Sequence, residues 1–96
     1  MRPPWDRVAK NALDQCRDCR VVAFEVWTAG PLSYYLGRPV EIAPAVPDGT
    51  FPTVVVCRDW NCPVDKDRSD IRHVAQYDWQ SRPDRVQLFL VGNTGN

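Results

Sequence analysis

The feature that most constrains this chain is a pair of short cysteine motifs, Cys16-Arg17-Asp18-Cys19 and Cys57-Arg58-Asp59-Trp60-Asn61-Cys62. Both open on Cys-Arg-Asp, and together they use all four cysteines. Two close pairs from two tight loops are the usual way to assemble a tetrahedral four-thiolate site, which has no open position and is structural. The expectation is therefore a zinc ion held by Cys16, Cys19, Cys57 and Cys62, with Arg17, Arg20 and Arg58 offsetting the excess negative charge. Residues 20–56 make a longer insert than zinc ribbons use. Reduced core thiols, disulfides and an iron–sulfur cluster on the same ligands are the alternatives.

Composition narrows the class. With 44% hydrophobic and 25% charged residues over 96 positions, the chain reads as one soluble globular domain, residues 1–96, with frayed ends at 1–4 and 92–96. Twelve basic residues against twelve acidic ones argue against a dedicated nucleic-acid binder, which carries a basic excess. The N-terminus lacks the apolar core of a secretory signal, and no apolar run is long enough to span a membrane. A cytoplasmic setting is expected, where clustered cysteines bind metal more often than they form disulfides.

The pattern of apolar residues predicts an α+β fold: an N-terminal helix packed on a small, mostly antiparallel sheet of four to five strands. Trp5, Val8, Ala9, Ala12, Leu13 and Cys16 follow one helical stripe, behind Pro3 and Pro4 at the first turn. Residues 20–28 read as one apolar strand interrupted by Glu25 and ended by Ala29-Gly30-Pro31, with Trp5 and Trp27 both in the core. A single helical turn over 32–36, an edge strand over 39–43 with Val40 and Ile42 inward, and a buried strand over 51–57 come next. Residues 70–79 alternate as a strand, with a helix as the competing reading. A turn over 81–85 leads into a last strand, 86–91, that closes the sheet.

Catalytic patterns are scarce. The order helix, CxxC, strand reverses that of thioredoxin-like proteins, where the motif opens a helix and the helix N-terminus stabilises the thiolate. No glycine-rich phosphate loop, nucleophile elbow or zinc-deaminase pattern is present. His73, the sole histidine, reads first as a hydrogen-bonded strand residue. An enzyme reading would pair it with Glu25 or a cysteine. Binding is the better prospect, because four tryptophans and three tyrosines are many for so small a domain. Trp60, Tyr34, Tyr35 and Arg58 are the candidate partner-binding residues. The expected function is a non-catalytic protein-binding or regulatory module, of the kind found among phage or accessory proteins, with another protein as partner. Nucleic-acid binding through Trp60 and nearby arginines is a further alternative.

Overall fold

The computed structural model describes residues 3–92. Met1, Arg2 and residues 93–96, where fraying was expected, lie outside them. Within them the chain forms α1 (Trp5–Gln15), β1 (Arg20–Ala23), α2 (Val26–Leu36), β2 (Glu41–Ile42), β3 (Thr53–Arg58), β4 (Ile71–Tyr77), a short 3-10 helix (Arg82–Asp84) and β5 (Val86–Val91). This is the expected α+β architecture, with the helix first. Pro4 supplies the carbonyl that accepts from Val8 N–H at 3.0 Å, and Trp5, Val8, Ala9 and Ala12 bury one stripe of α1. The first turn carries Asp6, which suits the positive end of the helix.

The strand order is β2-β1-β3-β5-β4. On one side β1 runs parallel to both β2 and β3, through the crossover helix α2. On the other, β3–β5 and β5–β4 are antiparallel and provide the longer ladders, from Thr53↔Val91 to Arg58↔Val86 and from Ile71↔Val91 to Tyr77↔Val86. The strand over 86–91 therefore does not close the sheet; it lies inside, between β3 and β4.

Alternation along the strands divides the core. Val21, Val54, Val56, Val86, Leu88 and Leu90 face the helices and pack with Trp5, Val8, Ala12 and Leu32. Val22, Val55, Cys57, Phe89 and Val91 face the opposite way and are covered by loop residues such as Val46, Cys62 and Val64. Each fully buried valine or leucine contributes about 1.5–3 kcal/mol by leaving water. The loops over the second face are fastened by Arg68, which donates to Asp70 and to the Pro47 carbonyl. Gly92 donates its N–H to the Asp70 carbonyl at 2.8 Å and sits where a Cβ would meet the Gly49 carbonyl at 2.9 Å. That close approach, at φ 92°, requires glycine.

Several expectations are corrected. The strand over 20–28 stops at Ala23, because Glu25 is the N-cap of α2: its carboxylate accepts from Thr28 N–H at 2.7 Å and from the Thr28 hydroxyl. Ala29-Gly30-Pro31 then lies within the helix, which runs on to Gly37 in the left-handed conformation at φ 72°. Trp27 is 72% exposed rather than core, and Ile42 is exposed rather than inward. Finally, 71–77 is a strand, but a register shift between His73 and Ala75 breaks its alternation. Ile71 and His73 face the loop side, whereas Ala75 and Tyr77 turn to the helices, where the Tyr77 hydroxyl accepts from Asn11 at 2.8 Å.

Candidate binding groove

The second cysteine motif is where β3 leaves the sheet. Asn61 N–H donates to the Arg58 carbonyl at 2.9 Å, so Asp59 and Trp60 form a tight turn. The turn is stitched to the segment before β5: Asp59 N–H reaches the Arg85 carbonyl and Trp60 N–H the Pro83 carbonyl, both at 3.0 Å. The Cys57 and Cys62 sulfurs lie within disulfide-bonding distance across its base, with Cα atoms 5.1 Å apart. Closing so short a loop is worth about 2 kcal/mol on chain entropy alone. Its consequence for function is geometric, because it fixes where Arg58, Asp59 and Trp60 project.

Arg58 projects to the helix side. Its guanidinium is almost buried, with a side-chain exposure of 7%, and donates to the Asp84 carbonyl at 2.9 Å and to the Asp84 carboxylate at 3.2 Å. It also lies 5.7 Å from the Trp5 ring and 5.3 Å from the Trp79 ring. That sandwich uses both the charge and the flat face of arginine, which lysine lacks.

Around it opens a groove of about 660 Å³, lined by all four tryptophans, Tyr34, Tyr35, Pro3 and Pro31, with Arg58, Gln80 and Asp84 as its polar members. One wall is α2, where Trp27, Pro31 and Tyr34 recur at the i, i+4, i+7 spacing of a single helical face. The buried stripe of the same helix, Thr28 and Leu32, lies next to it. The other wall is Trp60, Trp79, Gln80 and Asp84. Trp27, Tyr34 and Trp60 are exposed, Trp5 is buried in the floor, and Tyr34 meets Tyr35 edge-to-face at 5.2 Å. At the groove margin Gln80 holds a left-handed backbone, φ 56°, and Trp79 Nε1 is a buried donor with no hydrogen-bond partner among the described residues.

All four residues picked from sequence as partner-binding, Trp60, Tyr34, Tyr35 and Arg58, thus line one groove. The sequence reading missed Trp27 and Trp79, the first because a strand was expected over its segment. The helical spacing of Trp27, Pro31 and Tyr34 was the available signal.

The four cysteines are not brought together. Cys16 and Cys19 pack on the helix side of the sheet, Cys57 and Cys62 on the loop side. Each pair is within disulfide-bonding distance, with the Cα atoms of Cys16 and Cys19 5.5 Å apart. Among the described residues no group of three or more histidine, cysteine or acidic side chains is placed to hold a metal ion. A single zinc ion or cluster on Cys16, Cys19, Cys57 and Cys62 does not fit this arrangement, since the sheet lies between the pairs. Two of the three flanking arginines have other partners: Arg20 donates to Glu41 at 2.6 Å, and Arg58 to Asp84.

His73 does not meet Glu25, whose carboxylate caps α2; its Nε2 lies 2.9 Å from Gln87 Oε1. Within the described residues no helix is long and apolar enough to cross a membrane. Comparison of the chain with family models, curated proteins and solved structures returns no match.

Proposed function

We propose that this chain is a small non-catalytic binding module whose aromatic groove takes an extended, proline-rich segment of another protein. The observation that carries the reading is the convergence of all four tryptophans and two tyrosines on one open groove. Ridges of exposed aromatic rings suit the polyproline conformation, whose pyrrolidine faces pack between them with little ordering entropy left to lose. Such a segment has few N–H groups and many free carbonyls. A groove rich in apolar surface matches that chemistry. The charge of Arg58 is already committed to Asp84, so the ligand is neutral where it meets the floor. The same commitment weakens the nucleic-acid alternative, which needs an available cation beside Trp60.

The test is tryptophan fluorescence during titration with a synthetic peptide of repeating Pro-x-x-Pro, against a control in which alanine replaces each proline. Saturable binding of the first alone is expected, weakened tenfold or more by Trp27→Ala and by Trp60→Ala. Equal binding of both peptides, or of neither, would overturn the reading.

The cysteines, on this reading, act as two local clasps. Elemental analysis together with a thiol count in denaturant should find no bound zinc and four blocked thiols. Four free thiols with one zinc per chain would restore the single metal site. Blocked thiols would also replace the expected cytoplasmic setting with an oxidising one, since a reducing compartment does not preserve such bonds.

A further inference from the structure

A second concavity, of about 310 Å³, opens on the loop side of the sheet. Its walls are apolar at Cys62, Val64 and Phe89, and its polar lining includes Asp59, Lys66, His73, Arg82, Arg85 and Gln87. At its base is Gln87, 8% exposed on an inner strand whose other residues, Val86 and Leu88 to Val91, are apolar and buried. A glutamine there forgoes the burial energy that a valine would contribute. Every polar atom of its amide is engaged. Nε2 donates to Asp59 Oδ1 at 2.8 Å and to Gln76 Oε1 at 3.1 Å, and Oε1 faces His73 Nε2 at 2.9 Å.

The ionised carboxylate of Asp59 is acceptor-only, so it fixes which way the Gln87 amide points. The amide oxygen in turn requires His73 to carry its proton on Nε2. Asp59 itself is held below the usual carboxylate range. Burial pushes it up, but hydrogen bonds from Gln87 and Arg85 and the nearby charges of Arg85 and Arg82 outweigh that. The base of the cavity is therefore a locked network.

The charge facing it is unbalanced. Lys66, Arg82 and Arg85 line the cavity against one carboxylate, in a chain whose formal net charge is zero. Arg85 forms an ion pair with Asp59, at 2.7 Å, whereas Arg82 acts on it only from a distance. Among the described residues, Lys66 and Arg82 make no ion pair or side-chain hydrogen bond. Asp65 and Asp67 flank Lys66 in sequence, but neither lines the cavity. Apolar walls beside a concave cationic rim concentrate the field on whatever enters.

We propose that this cavity is a second site, independent of the aromatic groove, for a small phosphate-type dianion. Lys66 and Arg82 supply the charge, and the remaining N–H groups of Arg85 supply directed donors. Arginine suits such a ligand because its planar fork matches two oxygens at once.

The probe is inorganic phosphate, titrated into the full chain by calorimetry with sodium chloride adjusted to constant ionic strength. One saturable site is expected, with affinity falling tenfold or more in the Lys66→Ala/Arg82→Ala double variant. Both side chains are exposed and, among the described residues, unpaired, so the variant should fold; Arg17→Ala, which removes another exposed arginine elsewhere, should bind as wild type. Absence of saturation at millimolar phosphate, or equal weakening by Arg17→Ala, would overturn the assignment. The fluorescence titration of the groove reads out separately, so failure at one site is not failure at the other.

Discussion

Cys-Arg-Asp occurs twice in this chain, and the two copies have opposite environments. After α1, Arg17 and Asp18 are exposed at a corner between elements, and among the described residues neither side chain has a hydrogen bond or ion pair. After β3, Arg58 is buried between two indoles on one side of the sheet, while Asp59 anchors Gln87 and Arg85 on the other. The same tripeptide is solvated connection in one place and the hub of two concave surfaces in the other. The difference lies in the residues C-terminal to each copy. The first runs straight into β1 through Cys19 and Arg20. The second continues into Trp60, doubles back against residues 83–85, and is closed at its base by Cys62. A motif acquires a role from the elements that enclose it.

The largest contrast should appear in stability. Arg58→Ala removes the Arg58 donors from the Asp84 carbonyl and carboxylate, leaving the carboxylate the Ser81 hydroxyl, and opens a space between Trp5 and Trp79. Because Asp84 is partly exposed, at 31%, the cost should be about 2–3 kcal/mol, below the full penalty of breaking a buried pair. Arg58→Met, which refills the space but donates nothing, should recover part of it. Arg17→Ala should leave the urea midpoint unchanged. Equal midpoints for Arg58→Ala and Arg17→Ala would remove the distinction between the two copies.

Trp60 sharpens the comparison at the level of binding. Trp60→Ala should weaken the proline-rich peptide by about 2 kcal/mol, as expected of an aromatic anchor, with little effect on the urea midpoint because the ring is 48% exposed. If stability falls as far as affinity, the ring is a packing residue and the groove loses its outer wall.

The cysteines can be set against each other in the same way. Cys57→Ala/Cys62→Ala releases the base of the turn, so it should cost about 2 kcal/mol and also weaken peptide binding. Cys16→Ala/Cys19→Ala should cost a similar amount and leave peptide affinity alone, because that pair lies away from the groove. Loss of affinity in both double variants would point to global loosening instead of a local clasp.

Much of this fold was legible in the chain. The stripe Trp5, Val8, Ala9, Ala12 gave α1, because burial of one helix face imposes a period, and short apolar runs gave β3 and β5, which are buried on both faces. The β1–α2 boundary was hidden for a physical reason. Val26, Trp27 and Thr28 favour strands intrinsically, and Gly30-Pro31 reads as a breaker, yet the Glu25 cap and packing of Leu32 override both. The side of the sheet taken by each cysteine pair was beyond reach. Spacing shows that two cysteines are close in sequence; only the tertiary fold decides that Cys57 shares a face with Val55, opposite the helix side where Cys16 and Cys19 pack. For the aromatic residues the outcome is mixed: Trp60 was found by its polar loop and Tyr34 and Tyr35 by their adjacency, since two neighbouring rings in one helical turn cannot both point inward, while Trp27 was lost with its helix.

The smallest effect should be the acid limb of stability contributed by the second motif. Asp59 sits below the usual carboxylate range despite burial, because Gln87 and Arg85 hydrogen-bond to its charged form. A carboxyl whose pKa is lower folded than unfolded stabilises the fold above the ordinary carboxylate pKa. That contribution is lost as pH falls through the ordinary value and on through the folded one. Asp59→Asn removes the charge and retains a hydrogen-bonding side chain of similar size. The variant should be slightly less stable than wild type at neutral pH and should lose less on acidification, so that the two urea midpoints converge at low pH. Parallel curves down to acid would show that Asp59 gains nothing from its partners on folding. The polar hub around Gln87 would then be no better organised than the exposed Asp18 corner.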